Sequence, residues 1–359
     1  MYTSLPVWVK EQGCFYKHPC SLLEDIIMNI AIIDSGINIK NQKVAHAILE
    51  GISISSGNES SDYMDSNGHG TYCAEIITRI CPKAKLIIVK ILNRNNQGSS
   101  ECLLRALEYL EDKDVDIINM SLSTYHNDFR EKLQKKCDIL HARGVVLVSS
   151  LANHAQSSYP AIFSSVLGVR GELFLGERDY IYSPHQSIQC IASSVPVLVD
   201  DIDGKYSFFG GNSKATAIVT GILGELLSRN NKKKDINTLI ATNSDCIKNK
   251  NLDISLDIDK KINLPEALYK EAGFKKLINI VKNCLDISEN DENLLFENSL
   301  LNPIFHATKK DLGSIISAIE SEWKISFNKE NITLLNIETI DKLYSLITRT
   351  LCDKYNSKK

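Results

Sequence analysis

The order of apolar runs predicts an α/β domain, a mostly parallel sheet flanked by helices, followed by a small all-α domain of four helices. Two observations carry this. From residue 29 to about 224 short runs that are apolar on both faces alternate with amphipathic stretches, the pattern of a parallel sheet covered on both sides. From about residue 271 onward only helical periodicity remains. The expected division is an N-terminal extension at 1–28, the sheet domain at 29–269 and the helical domain at 271–355.

Each element has its own signal. Residues 30–34 (IAIID) are a strand ending in Asp-Ser-Gly, and 70–80 (GTYCAEIITRI) a helix opening just after His69. Residues 84–92 read as a strand. Residues 99–112 read as an amphipathic helix with Leu103, Leu104, Leu107 and Leu110 on one face. The stretches 115–123 and 145–153 are strands around a helix at 129–144 that ends at Gly144. Turn-rich β structure is expected over 180–210, then a helix from near Ser213, a charged loop at 229–235 and a closing helix at 262–268. The helical domain shows apolar stripes at Phe274, Leu277, Ile278 and Val281; at Leu312, Ile315, Ile316, Ile319 and Trp323; and at Ile340, Leu343, Ile347 and Leu351.

Composition bounds the class. With 43% hydrophobic and 24% charged residues and a net charge of −3, the chain reads as soluble and globular, and neither a nucleic-acid nor a membrane partner is expected. The first 30 residues lack a basic start followed by an apolar core, so no leader is expected and the protein is placed in the cytoplasm. The ten cysteines include no CxxC pair and read as reduced thiols. No ligand spacing supports a metal, and no cofactor is expected. Asp200, Asp201 and Asp203 read as a polar hairpin turn.

Four residues draw attention together. Asp34 and Asn153 end apolar strands, where functional groups of parallel sheets gather. His69, in NGHGT, and Ser213, in FFGGNSKATA, stand at helix entrances after glycines. Each alone has an ordinary reading: a turn residue for Asp34 and Asn153, a helix cap for Ser213, a structural histidine for His69. In the order Asp, His, Asn, Ser they form a nucleophilic set. A serine hydroxyl needs a neighbouring base, the base needs a carboxylate to orient it, and the oxyanion needs donors. The intervals are 35, 84 and 60 residues, room for the strands and helices between sites.

The blocks IAIIDSGIN, NGHGTYCAEI, VVLVSSLAN with SYPAI, and GNSKATAIVTG resemble the four signature blocks of the subtilisin family of serine peptidases over about residues 29–269. The resemblance implies a subtilisin-like fold of the intracellular type and a peptide or protein substrate. It implies a triad of Asp34, His69 and Ser213, with Asn153 at the oxyanion. It also implies a substrate-binding strand at Ser121, Leu122 and Ser123 and an opposite rail at Gly98, Ser99 and Ser100. The chain departs from the family pattern at Ala152, where Gly is usual, at Ser123, also usually Gly, and at Lys214 to Ile218, where Met-Ala-Ala-Pro-His or similar is usual. Other uses of the fold are a catalytically silent adaptor or a peptide ligase working through the same acyl-enzyme. Residues 271–355 resemble an acyl-carrier-like helical bundle, but the place of the prosthetic-group serine falls near Lys309, and Ser299 lies 24 residues before Trp323. No prosthetic arm is expected; a protein partner docking on this domain is the alternative role.

Overall fold

The structure is a computed structural model that describes residues 8–11, 14–17, 26–174, 176–230, 235–244, 262, 264, 265 and 267–356. In chain order the strands are β1 (Trp8–Glu11), β2 (Cys14–Lys17), β3 (Met28–Asp34), β4 (Ile48–Ser55), β5 (Asn58–Ser60), β6 (Ala84–Lys90), β7 (Ile117–Met120), β8 (Val146–Ser150), β9 (Val166–Glu172), β10 (Tyr180–Tyr182), β11 (Cys190–Ser193), β12 (Val197–Asp200) and β13 (Tyr206–Phe209). The helices are α1 (Gln42–Ala45), α2 (His69–Ile80), α3 (Ser100–Glu111), α4 (Arg130–Ala142), α5 (Gly211–Arg229), α6 (Ile236–Ser244), α7 (Ala272–Leu285), α8 (Leu294–Glu297), α9 (Lys309–Trp323) and α10 (Ile340–Asn356).

One sheet of nine strands organises the molecule, in the order β10-β11-β9-β8-β7-β3-β6-β4-β5. Only the edge pairs β10–β11 and β4–β5 are antiparallel. The strands between run parallel, as both-face hydrophobicity requires. The period-two alternation of β3 sorts its side chains. Ile30 and Ile32 join one buried cluster with α2 and α5, while Ala31 and Ile33 join the other with α3 and α4. Asp34 closes β3 at the carboxyl edge, where its carbonyl accepts the N–H groups of Ile91 and Leu92.

A third cluster gathers α7, α9, α10 and the short segments between them. It takes in all of the predicted stripe residues, with Trp323 and Leu351 at its partly buried margin. Two expectations need correction. Among the described residues the closing helix expected at 262–268 is not seen: Leu264 packs into this third cluster, and 268–270 is a single 3-10 turn, while residues 263 and 266 of that span lie outside the described set. The strand expected over 115–123 stops at Met120, because its continuation leaves the sheet. Of the charged loop at 229–235, residues 231–234 also lie outside the described set.

The β12–β13 hairpin belongs to two clusters. Val197, Val199 and Phe209 face the α2/α5 side, while Leu198 and Phe208 face the C-terminal helices. The contact includes backbone pairing, since Leu198 N–H donates to Ile332 O at 2.9 Å and Leu334 N–H to Pro196 O at 3.0 Å. Helix α9 crosses β13 at Gly313, where a Cβ would overlap the Tyr206 carbonyl oxygen. Cys73, Cys81, Cys102, Cys137, Cys190, Cys284 and Cys352 are free thiols. Among the described residues no helix is long and apolar enough to cross a membrane.

Candidate active site

The carboxyl edge of the sheet and two helix entrances build the site. Asp34 is 1% exposed. Its carboxylate accepts the Ser35 N–H at 2.7 Å and lies 2.8 and 3.0 Å from His69 Nδ1. His69 begins α2 because Gly68 takes φ 101°, a left-handed turn that favours glycine. Asp65 then ties the entrance together. Its carboxylate accepts the N–H groups of Asn67, Gly68 and Thr71 at 2.9, 2.8 and 3.0 Å, and the hydroxyls of Ser35 and Thr71 at 3.0 and 2.6 Å. Gly70 is forced by proximity, since a Cβ there would strike the Gly36 carbonyl and come within 3.2 Å of Asp34 Cβ.

Burial by itself would lower the His69 pKa. The charge and hydrogen bond of Asp34, with a further contribution from Asp65, outweigh that effect and the opposing charge of Lys309, so the pKa is raised above 6.5. The ring of Phe209 meets the imidazole edge to face at 5.4 Å. Cys73, fully buried, lies 3.9 Å from Asp34 Oδ2, and burial pushes its pKa well up. Asp34, His69 and Cys73 are the one trio of metal-ligand types clustered among the described residues. A neutral thiol and a carboxylate already bonded to imidazole make a poor metal set.

Ser213 lies in the first turn of α5, where backbone N–H groups have no intrahelical acceptor. Gly211, at φ 79°, makes the turn, and Asn212 anchors it by donating to Leu151 O and accepting the Gly171 N–H, both at 2.7 Å. The Ser213 hydroxyl donates to Ser121 O at 3.3 Å, and the Ser121 hydroxyl donates to Ser213 O at 3.1 Å. Among the described residues no hydrogen bond joins the Ser213 hydroxyl to His69, so the structure pairs His69 with Asp34 but not with Ser213. Asn153 follows β8 and is exposed, with its Oδ1 beside Gly211 at the start of the same helix.

The six substrate-binding candidates share one cleft. Ser121, Leu122 and Ser123 continue from β7 as an extended segment, held where Thr124 exchanges backbone hydrogen bonds with Tyr159 at 2.8 and 2.9 Å. Opposite them, Ser99 caps α3 by accepting the Cys102 N–H, and Ser100 joins the two rails through a 3.1 Å contact with the Thr124 hydroxyl. Gly98 packs against Ile91 O where a side chain would not fit. Together with Asn153 and Ser213 these residues line a cleft of about 730 Å³ that extends along the starts of α3 and α4.

Sequence reasoning passed over several residues here. Asp65, four residues before His69, carried a weak signal as an acid ahead of a Gly-His turn. Phe209 and Tyr72 carried none, because their roles depend on a hairpin distant in sequence. Lys214, directly after Ser213, is 1% exposed among the α5 contacts and has no hydrogen-bond or ion-pair partner among the described residues. Burial, aided by the Arg79 charge and opposed by Glu177, brings its pKa down to about 8. In the C-terminal helices Ser299 is buried and its hydroxyl donates to Glu338 O at 3.0 Å, so it is not presented for modification.

Comparison with known proteins follows the same outline. The sequence profile of the Subtilase family matches residues 28–254. The intracellular serine protease of Paenibacillus polymyxa is 24% identical over 216 residues, covering 55% of this chain and 65% of its own. The minor extracellular protease Epr of Bacillus subtilis (strain 168) is 28% identical over 214 residues, 56% of this chain and 32% of its own. The major intracellular serine protease of the same strain is 26% identical over 220 residues, 56% of this chain and 68% of its own. The chain spans less than two thirds of the length of the first two of these relatives.

Proposed function

The chain belongs to the subtilase family, and on that premise we propose that it is a serine endopeptidase acting through Asp34, His69 and Ser213. The observation that carries this reading is the buried carboxylate of Asp34 bonded to His69 Nδ1, which leaves Nε2 as the nitrogen able to take a proton. His69 removes the Ser213 proton as the hydroxyl oxygen attacks the scissile carbonyl, and Asp34 stabilises the imidazolium. The negative charge that develops on the carbonyl oxygen is met by the Ser213 N–H at the entrance of α5 and by the Asn153 amide. His69 then gives the proton to the leaving amine, the C–N bond breaks, and water repeats the sequence on the acyl-enzyme.

The extended Ser121–Ser123 segment and the Gly98–Ser100 loop support a substrate bound as an added strand between two rails. The relatives named as intracellular serine proteases support a place of action inside the cell; a restricted substrate, a peptide or protein precursor, follows from that location, because an unselective protease there would digest its own cell. The test is labelling by a fluorophosphonate probe. Wild type is expected to be modified at Ser213 and Ser213→Ala not at all, with Asn153→Ala turning over peptides on the order of 10²–10³ more slowly. Labelling that persists in Ser213→Ala would refute the assignment.

A further inference from the structure

Tyr72 is wedged between two neighbours of the catalytic imidazole. It stands on α2, three residues after His69. Its hydroxyl lies over Gly68, so close that a Cβ on that glycine would come within 2.4 Å of it. Its ring packs on Phe209 with centroids 5.5 Å apart, and Phe209 meets the His69 ring edge to face. The residue before His69 and the aromatic ring beside it therefore both rest on one tyrosine.

Asp201, in the turn between β12 and β13, fixes that tyrosine. Oδ1 of its buried carboxylate accepts the Tyr72 hydroxyl at 2.6 Å and the Ile202 N–H at 2.8 Å. Oδ2 pairs with Lys310 Nζ, in the first turn of α9, at 2.8 Å and has no other partner among the described residues. One carboxylate thus joins the helix that carries His69, the hairpin that carries Phe209 and the C-terminal helices. Burying a carboxylate is costly unless it is paired and bonded. What it adds is direction: apolar packing is non-directional, whereas a short charge-assisted bond holds the end of the ring in one place.

Placement of His69 is what the chemistry is most sensitive to. A base must come within hydrogen-bond reach of the hydroxyl it deprotonates, and an error of about 1 Å costs on the order of 10² in rate. Asp34 holds the ring at Nδ1. Where Nε2 then points depends on what touches the rest of the ring, and Phe209 touches it. Resting on the peptidase reading, we propose that Asp201 is a positioning residue for His69, acting through Tyr72 and Phe209, and that Lys310 extends this control to the C-terminal helices.

The test uses the full chain, one cleaved peptide and the rate at which a fluorophosphonate labels Ser213. Tyr72→Phe keeps the ring and removes its bond to Asp201. It is expected to lower kcat by roughly tenfold, with KM within about twofold of wild type and labelling slowed in parallel, because the base is displaced by a fraction of an ångström while the cleft is untouched. Asp201→Ala is expected to lower kcat as much, and the double variant no further, since each breaks the same linkage. Lys310→Met lowers kcat in the same manner but less. Asp200→Asn is the control: Asp200 pairs with Lys43 and Lys329 in the same hairpin and shares no hydrogen bond with Tyr72 among the described residues, so its kcat stays near wild type. Should Asp201→Ala fail to fold, Tyr72→Phe decides alone. A folded Tyr72→Phe with wild-type kcat overturns the proposal. An equal loss in Asp200→Asn also overturns it, by tracing the effect to the stability of the hairpin. A wild-type kcat in Lys310→Met overturns the part given to the C-terminal helices. Wild type that neither cleaves peptides nor is labelled at Ser213 overturns the peptidase reading itself.

Discussion

Replacing Lys214 by Met is expected to stabilise the protein, by an amount that depends on pH. The side chain is 1% exposed and its pKa falls from 10.5 to about 8. Desolvation is the main cause; the nearby Arg79 charge adds to it and Glu177 opposes it. Below pH 8 the folded protein holds a buried ammonium that the unfolded chain would hydrate. The gap between 10.5 and about 8, at about 1.36 kcal/mol per unit, makes this a penalty of about 3 kcal/mol. Between pH 8 and 10.5 the folded amine is already neutral while the unfolded one still binds a proton, so wild-type stability rises with pH. Met keeps the aliphatic length and carries no charge, so the variant lacks the penalty at every pH. Urea unfolding at pH 7 and pH 9.5, in a Ser213→Ala background to prevent self-digestion, measures both quantities. The advantage of Lys214→Met is expected to be about 3 kcal/mol at pH 7 and to shrink by about 2 kcal/mol at pH 9.5. An advantage that is absent at pH 7, or that does not change with pH, would refute the reasoning.

Two further outcomes follow from the geometry. Since His69 acts as a base only when neutral and Asp34 raises its pKa, the acid limb of kcat/KM is expected above pH 6.5, and activity is lost as pH falls through it; a limb below 6.5 would contradict the Asp34–His69 pairing. Gly313→Ala places a methyl group on the Tyr206 carbonyl, so α9 must lift from β13. A loss of roughly 1–3 kcal/mol in urea unfolding is expected, with faster proteolytic release of the C-terminal helices.

Much of this was written locally. Residues 30–34 and 84–90 are strands because successive apolar side chains meet a covered face on either side, and β3 lies between β6 and β7 for that reason. His69 and Ser213 announce their helix entrances through the glycines at 68 and 211, whose positive φ a larger residue resists. The stripes of α7, α9 and α10 were legible because helical periodicity survives whatever partner they pack on. Legibility failed where a segment's fate depended on something remote. Leu264 reads as the end of the sheet domain but packs with the C-terminal helices, and Ser121–Ser123 reads as strand but leaves the sheet after Met120.

The amino-acid sequence by itself determined which groups could do chemistry and which edge of the sheet would present them, because residue type and hydrophobic period are local properties. Only tertiary structure decided their company. Phe209 lies edge-on to His69, Tyr72 bonds to Asp201, and Lys310 of α9 pairs with the same Asp201. All three follow from one hairpin held between α2 and α9. A pairing of that kind joins residues more than a hundred positions apart through shape and burial, and no local pattern encodes it.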